Sequence, residues 1–289
     1  MTTARPSPTP RPTRPSNIKR NLWITGAAAL FLWAAISVNV DPTDLLALPR
    51  GLALMLSKMF FQPGPDPAYL QKAVPAMIES IEMAWVGTII GATLSLPLGF
   101  LGAKNVSSGL VSNVMRQVLN GIRAFPELIL AIVIMIPIAG PGPVAGALAI
   151  GLHSAGTLGK LTAEAIEGID DGPVEAARAV GGRGLQVQRW GVLPQVLPEL
   201  IGFWLFRFEI NIRAGAVLGV VGAGGIGFLL DQTIRFRHWS EAGTTILVVI
   251  VATILVDTVS GGVRRRIIEG ADVKVSPEVE ISDPAMAGR

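Results

Sequence analysis

Uncharged apolar runs of membrane-crossing length constrain the fold of this chain more than any other feature. A helix needs about 20 mainly apolar residues to cross roughly 30 Å of hydrocarbon. Leu22–Val40 is one such run, and Met83–Leu101 is a second, with Pro97 tolerated because neighbouring helices satisfy the freed carbonyl. Leu128–Ala139 is too short alone; extended back through Gly121–Glu127 it predicts a third span that ends at the turn Gly140-Pro141-Gly142-Pro143. Val144 to about Leu161, rich in Gly and Ala, is the fourth; the fifth lies within Leu200–Leu230, and Thr244–Ser260 is the sixth. Composition agrees, since half the residues are hydrophobic and only 16% are charged, against about 25% in soluble domains. The mean hydropathy is +0.53. These features exclude a soluble enzyme and predict an all-α integral membrane protein with about six transmembrane helices.

The remaining composition narrows the chemistry. The absence of cysteine excludes disulfides, thiolate metal sites and cysteine nucleophiles. Two histidines, His153 and His238, make a histidine metal centre an unfavoured reading, so no metal or catalytic residues are assigned. A net charge of +3 does not indicate a nucleic-acid partner. Residues 1–21, rich in Pro, Thr, Ser and Arg, read as a disordered basic cytoplasmic tail. The first span, 22–40, has the positive flank of a signal peptide but no small-residue cleavage site after it, which favours a retained anchor. Residues 41–80 form a proline-rich extracytoplasmic or interfacial segment, within which Leu45–Phe61 reads as an amphipathic helix interrupted by Arg50 and Lys58. A helical core over 81–262, which contains the polar loop at about 162–198, and a cytoplasmic tail over 263–289 complete the organisation. Seventeen of the 24 Lys and Arg residues fall in the two tails and in the segments Gly102–Arg123 and Lys160–Pro198. That bias places both termini in the cytoplasm of a cell membrane.

The polar loop at about 162–198 carries the most information. It contains Asp170-Asp171-Gly172-Pro173-Val174-Glu175-Ala176-Ala177-Arg178-Ala179-Val180-Gly181 and later Leu193-Pro194-Gln195-Val196-Leu197-Pro198. The pattern predicts two short helices joined at a glycine turn. Asp171 is suited to cap the first, Pro173 to its opening turn, and Gly181-Gly182 to a left-handed turn. The second helix, about Leu185–Val192, is expected to stop before Pro194. Such a stiff knob suits a partner's groove; an ordinary solvated loop is the alternative reading.

The spacing of Glu175-Ala176-Ala177, Gly181 and Leu193-Pro194 resembles the EAA loop of ABC importer permeases, with Gly191 standing where a branched apolar residue is usual. In that family the loop forms coupling helices that dock on an ATPase, and the resemblance implies that role for these six residues. A narrower resemblance, to phosphonate ABC transporter permeases, extends over about Glu79 to Arg265. It rests on Ile169–Ala176, Val192–Pro198, Arg123-Ala124-Phe125-Pro126-Glu127, Phe206–Arg213 and Val217–Gly227. It implies the type I ABC importer permease fold and a translocation path for phosphonates or related phosphorus oxyanions such as phosphate and phosphite. It implies as partners a second copy of the chain, two cytoplasmic ATPase subunits and an extracytoplasmic substrate-binding protein. ATP and Mg would sit on the ATPase, with no cofactor on this chain. Gly156–Lys160 fails the phosphate-loop spacing, because Lys160 is followed by Leu161.

The fifth span holds the candidate path. Charge near mid-membrane is costly and normally points into a bundle or a water-filled route. Glu209 and Arg213, four apart, have the order that favours an ion pair; Arg213 reads equally as such a strut or as an anion lining. Arg207 and Asn211 share another stripe, and Arg207 is expected to snorkel towards the interface. Gly222-Ala223-Gly224-Gly225-Ile226-Gly227 contains G-x-G-x-x-G, but no strand precedes it, so local unwinding or close helix approach at a gate is the better reading than a dinucleotide site. His153 and Ser154 suggest a helix–helix hydrogen bond rather than substrate contact, and His238 beside Trp239 an interfacial anchor. Two other functions compete. An intramembrane enzyme would need an acid, base or metal constellation that the sequence lacks. An ion-coupled secondary transporter would need paired broken helices, and only one glycine break is evident.

Overall fold

The computed structural model describes residues 17–37 and 42–272, and the described residues are mainly helical, joined by short loops, without strands. The tail expected at 1–21 lies mostly outside them, as do residues 38–41 and 273–289. The chain divides into two units. The first, ending at Leu56, holds α1 (Ile18–Ser37) and most of α2 (Pro42–Phe60). Helix α1 starts four residues before the expected span, because Ile18-Lys19-Arg20-Asn21 continues a helix-compatible run without Pro or Gly.

The second unit, from Ser57 onward, contains the remaining helices. These are α3 (Leu70–Gly102), α4 (Gly109–Ala124), α5 (Glu127–Ala139), α6 (Pro143–Glu167), α7 (Asp171–Ala179), α8 (Leu185–Ala223), α9 (Gly225–Arg235) and α10 (Trp239–Asp272). Two helical stretches, Pro67–Gly102 and Trp239–Ile267, are long and apolar enough to cross a membrane alone. Two bent pairs, α4 with α5 and α8 with α9, meet the same test together. The expected third span is therefore not one straight helix: the chain turns by 81° between Ala124 and Glu127. Pro126 is the physical cause, since it lacks an N–H and biases Phe125 to extended backbone, observed at φ −86° and ψ 121°. Together with the 61° bend between α8 and α9, the fold has two breaks where the sequence suggested one.

Helices α3 and α6 form the centre of the second unit. Their contact is a row of small residues, and a Cβ added at Gly91 would stand 2.5 Å from Ser154 Cβ, so the two backbones approach to van der Waals contact. Lipid tails are as apolar as leucine, so close packing of small residues, rather than water exclusion, is what holds such helices together. Around this pair, Met83, Leu130, Ala131, Ile150, Leu218 and Ala223 form one buried cluster. A second, at the α7 end, gathers Ala163, Ile166, Val174, Val187, Val192, Val196 and Leu200.

Candidate functional site

The elbow is built from α7, its glycine turn and the start of α8. Asp170, not Asp171, caps α7: its backbone is extended and its carboxylate accepts from the Gly172 amide at 3.0 Å. Asp171 instead occupies the first turn, where its charge meets the positive helix end. Val174 is buried against Val187, Val192 and Val196, whereas Glu175, Ala176, Arg178, Ala179 and Gly181 are exposed and Ala177 is half-buried. Gly181 sits at φ 89°, the left-handed conformation that terminates α7.

Gly191 has a specific use. A Cβ there would lie 3.1 Å from Val174 Cα and 3.2 Å from Pro173 O, so the missing side chain lets α7 rest on the backbone of α8. Gln195, whose role the sequence did not reveal, closes the elbow. Its Nε2 donates to Asp170 O at 3.1 Å and Gly191 O at 2.6 Å, and its Oε1 accepts from the Asp170 amide at 3.2 Å. The second loop helix does not end before Pro194. A π turn over Gln188–Val192 shifts the hydrogen-bond register, Pro194 falls in the first turn of Leu193–Leu218, and the helix continues into the bundle. Leu193 is half-buried and Pro194 exposed.

Beneath the elbow, Glu167 at the end of α6 accepts from the Lys104 amide at 2.6 Å and pairs with Arg116 of α4. Asn105 Nδ2 donates to Ile166 O at 2.7 Å. Desolvation of the Glu167 carboxyl works against its charge, but the Lys104 amide and the Arg116 guanidinium prevail and hold it below the usual carboxylate range.

A polar network crosses the bundle deeper in. Asn211 of α8 donates to Thr88 Oγ1 of α3 at 2.8 Å and to Ser154 Oγ of α6 at 3.1 Å. Arg207 Nε donates to Ser154 Oγ at 3.0 Å, and its Nη2 lies 2.7 Å from His153 Nδ1. Glu127 of α5 places Oε2 3.6 Å from that same Nη2. Arg207 is only 8% exposed, so it does not snorkel outward: a hydroxyl, an imidazole and a carboxylate supply the partners that an isolated buried guanidinium would lack. His153 and Ser154 do join helices, as expected. Glu209 is also buried but Arg213 is exposed, and among the described residues no ion pair joins them.

The glycine run is a true break. Gly222, Gly224 and Gly225 all have positive φ, at 93°, 81° and 68°, and Val221 is non-helical. The Ile226 amide donates to Ser80 Oγ at 2.9 Å, so α3 repairs a backbone group freed by the unwinding. Gly227 approaches so closely that a Cβ would stand 1.7 Å from Ala216 O. The break thus combines both features expected of it, unwinding and close approach, and its chemistry requires glycine at these positions. Among the described residues no group of three His, Asp or Glu side chains converges on a metal site.

A helical bundle with an exposed elbow, a buried cross-helix polar network and a glycine-broken helix fits a membrane transport subunit. The chain belongs to the family described as binding-protein-dependent transport system inner membrane component, which matches residues 95–270. It is 42% identical over 243 residues to the phosphite transport system permease protein PtxC of Stutzerimonas stutzeri, covering 84% of this chain and 86% of the relative. Over 194 residues it is 41% identical to the phosphate-import permease protein PhnE of Mycolicibacterium smegmatis, covering 67% of this chain and 36% of that longer relative. In structure it resembles a chain of the MetNI methionine ABC transporter in an inward-facing conformation, with a TM-score of 0.62 and 20% identity, covering 70% of this chain and 99% of that one. The fold is therefore that of a type I ABC importer permease, an integral membrane protein.

Proposed function

We propose that this chain is the translocation subunit of an ATP-driven importer for phosphite, phosphonate or phosphate, and that it works as a homodimer. Each copy would engage one cytoplasmic ATPase, which holds ATP and Mg, while a binding protein delivers the anion from outside. Both termini would face the cytoplasm. The observation that carries this reading is the elbow. Its apolar residues Val174, Val187 and Val192 are turned inward, and it presents Ala176, Ala179, Val180, Leu185 and Trp190 outward on a base fixed by Gln195. An exposed patch of this kind on a stiff base is what a docking element requires, because force is transmitted only if the knob moves with the span behind it. Continuity of α8 from Leu185 through the bundle supports that transmission. The substrate class rests on the relatives' names. Arg207, Glu209, Asn211 and Arg213, with the break at Gly222–Gly227, are proposed to line or gate the path.

The second bend, at Pro126, does not favour an ion-coupled transporter, since it lies on a different type of break from the glycine run and the family is one of binding-protein-dependent systems. The test is co-expression with a partner ATPase and a binding protein, then uptake of phosphite, methylphosphonate and phosphate into vesicles. Glu175→Lys is expected to abolish ATP-coupled uptake while leaving membrane insertion intact. Undiminished uptake by that variant, or uptake by the lone chain driven by an ion gradient, overturns the reading.

A further inference from the structure

The Arg207 environment holds less than a guanidinium can take. Arginine only donates, so the 2.7 Å contact fixes His153 Nδ1 as an acceptor and puts the ring's single proton on Nε2. A neutral His153 with its Nδ1 lone pair engaged offers nothing to the Glu127 carboxylate, whose Oε2 is 3.6 Å from that nitrogen. Glu127 is therefore held by Arg207 alone, and at 3.6 Å, beyond the roughly 2.7–2.9 Å of a charge-assisted hydrogen bond. Arg207 uses Nε on Ser154 and one N–H on His153; among the described residues its other three N–H groups have no hydrogen-bond partner. This is a nearly buried cation with spare donors and a loosely held counter-charge.

Two features widen the cluster. Glu127 lies just past the Pro126 break, and its side chain is 27% exposed, so it can swing away without dismantling a helix. Arg123, on the other side of that break, lays its Cγ 3.1 Å from where a Cβ on Gly156 would stand, one turn of α6 from His153. A second cation thus borders the same space.

We propose that Arg207, with Arg123 and the Ser154–His153 pair that orients it, is a transient station for a tetrahedral phosphorus oxyanion, and that Glu127 is its resident counter-anion, displaced when the anion arrives. Two oxygens of such an anion match the guanidinium fork, whereas a carboxylate at 3.6 Å does not. Return of Glu127 to Arg207 restores charge balance as the anion leaves, so the station does not become a trap. This inference rests on the proposed import of phosphorus oxyanions and adds residues and an order of events to it.

The experiment uses the full complex of permease, ATPase and binding protein. It measures ATP-driven uptake of phosphite, methylphosphonate and inorganic phosphate in vesicles. It also measures direct binding of the same three anions to the solubilised permease–ATPase complex without the binding protein. Glu127→Gln is expected to tighten direct binding about 10-fold and slow uptake per ATP hydrolysed. Arg207→Gln is expected to weaken binding roughly 10- to 100-fold, the loss of one or two charge-assisted hydrogen bonds. Arg207→Lys, which keeps the charge without the fork, should fall between wild type and Arg207→Gln. The double variant Arg207→Gln/Glu127→Gln removes both charges, relieves any folding defect of the single changes, and should still fail to recover uptake. Full recovery of uptake in the double variant, or unchanged binding in Glu127→Gln, means that the pair is only a strut and overturns the station. If the wild-type complex imports none of the three anions yet binds them at this site, the substrate reading fails and the station stands.

Discussion

The elbow and the polar network are both held by hydrogen bonds, but those bonds reach very different distances along the chain. In the elbow, Asp170 caps the amide two residues on, Gln195 reaches back four residues to Gly191, and its longest link spans 25 residues to Asp170. In the network, Arg207 bonds Ser154 across 53 residues and Asn211 bonds Thr88 across 123. The elbow is thus held by short-range hydrogen bonds and leaves Ala176, Ala179 and Val180 exposed. The network exists only after four helices, α3, α5, α6 and α8, have packed, and most of its polar groups are buried. The contrast teaches that a stiff exposed element can be set by short-range chemistry, whereas placing a charge inside the bundle requires tertiary assembly.

Changes that separate the two regions test this contrast. The largest effect is expected from Gly181→Pro. Proline holds φ near −65° where the turn needs 89°, and it removes the amide that donates to Arg178 O at 2.9 Å. Transport assays should show loss of ATP-coupled uptake, while membrane insertion and the bundle's melting temperature stay near wild type. Asn211→Leu should act on the stability of the bundle. It leaves Thr88 and Ser154 short of a buried partner, so the purified protein should lose about 1–3 kcal/mol of stability, seen as a lower melting temperature. A melting temperature unchanged by that variant would break the comparison.

A smaller effect is expected from Gln195→Ala. It removes three hydrogen bonds at a partly exposed site, each contributing about 0.5–1.5 kcal/mol at most. Uptake should fall severalfold, with the ATPase remaining associated but less tightly coupled. The smallest concerns Glu167. Its folded pKa is depressed, so its contribution is fully present above the unfolded value and lost as pH falls through the lower folded value. The stability difference between wild type and Glu167→Gln should therefore hold at neutral pH and shrink on acidification below the ordinary value of 4.5. A difference that grows in acid would refute the Arg116–Glu167 clamp.

Much of the elbow was legible because its residues are nearly consecutive and each has a local job. Glu175-Ala176-Ala177 and Gly181 stand at the spacing of a short helix and its left-handed stop, and that is where they are found. The structure departs from that pattern by one residue or one turn. Asp170 rather than Asp171 is the cap, and Pro194 opens a helical turn instead of following one, because a π turn absorbs the missing donor. In the bundle, the spacing of Glu209 and Arg213 suggested a strut that does not form, since one side chain is inside and the other faces out. Arg207 is buried instead of snorkelling, held by partners, Ser154 and His153, that lie 53 and 54 residues away in sequence.

The apolar runs and the glycine run determined that this chain is a helical membrane protein and where one of its helices breaks. Those properties follow from hydrocarbon thickness and backbone geometry, which act on contiguous residues. Tertiary structure alone decided that Glu127, His153, Ser154 and Arg207 meet, because a buried charge chooses its partners among whichever helices pack beside it. The 81° turn at Pro126 brings α5 to that meeting point, and no periodicity in the chain encodes the direction of such a turn.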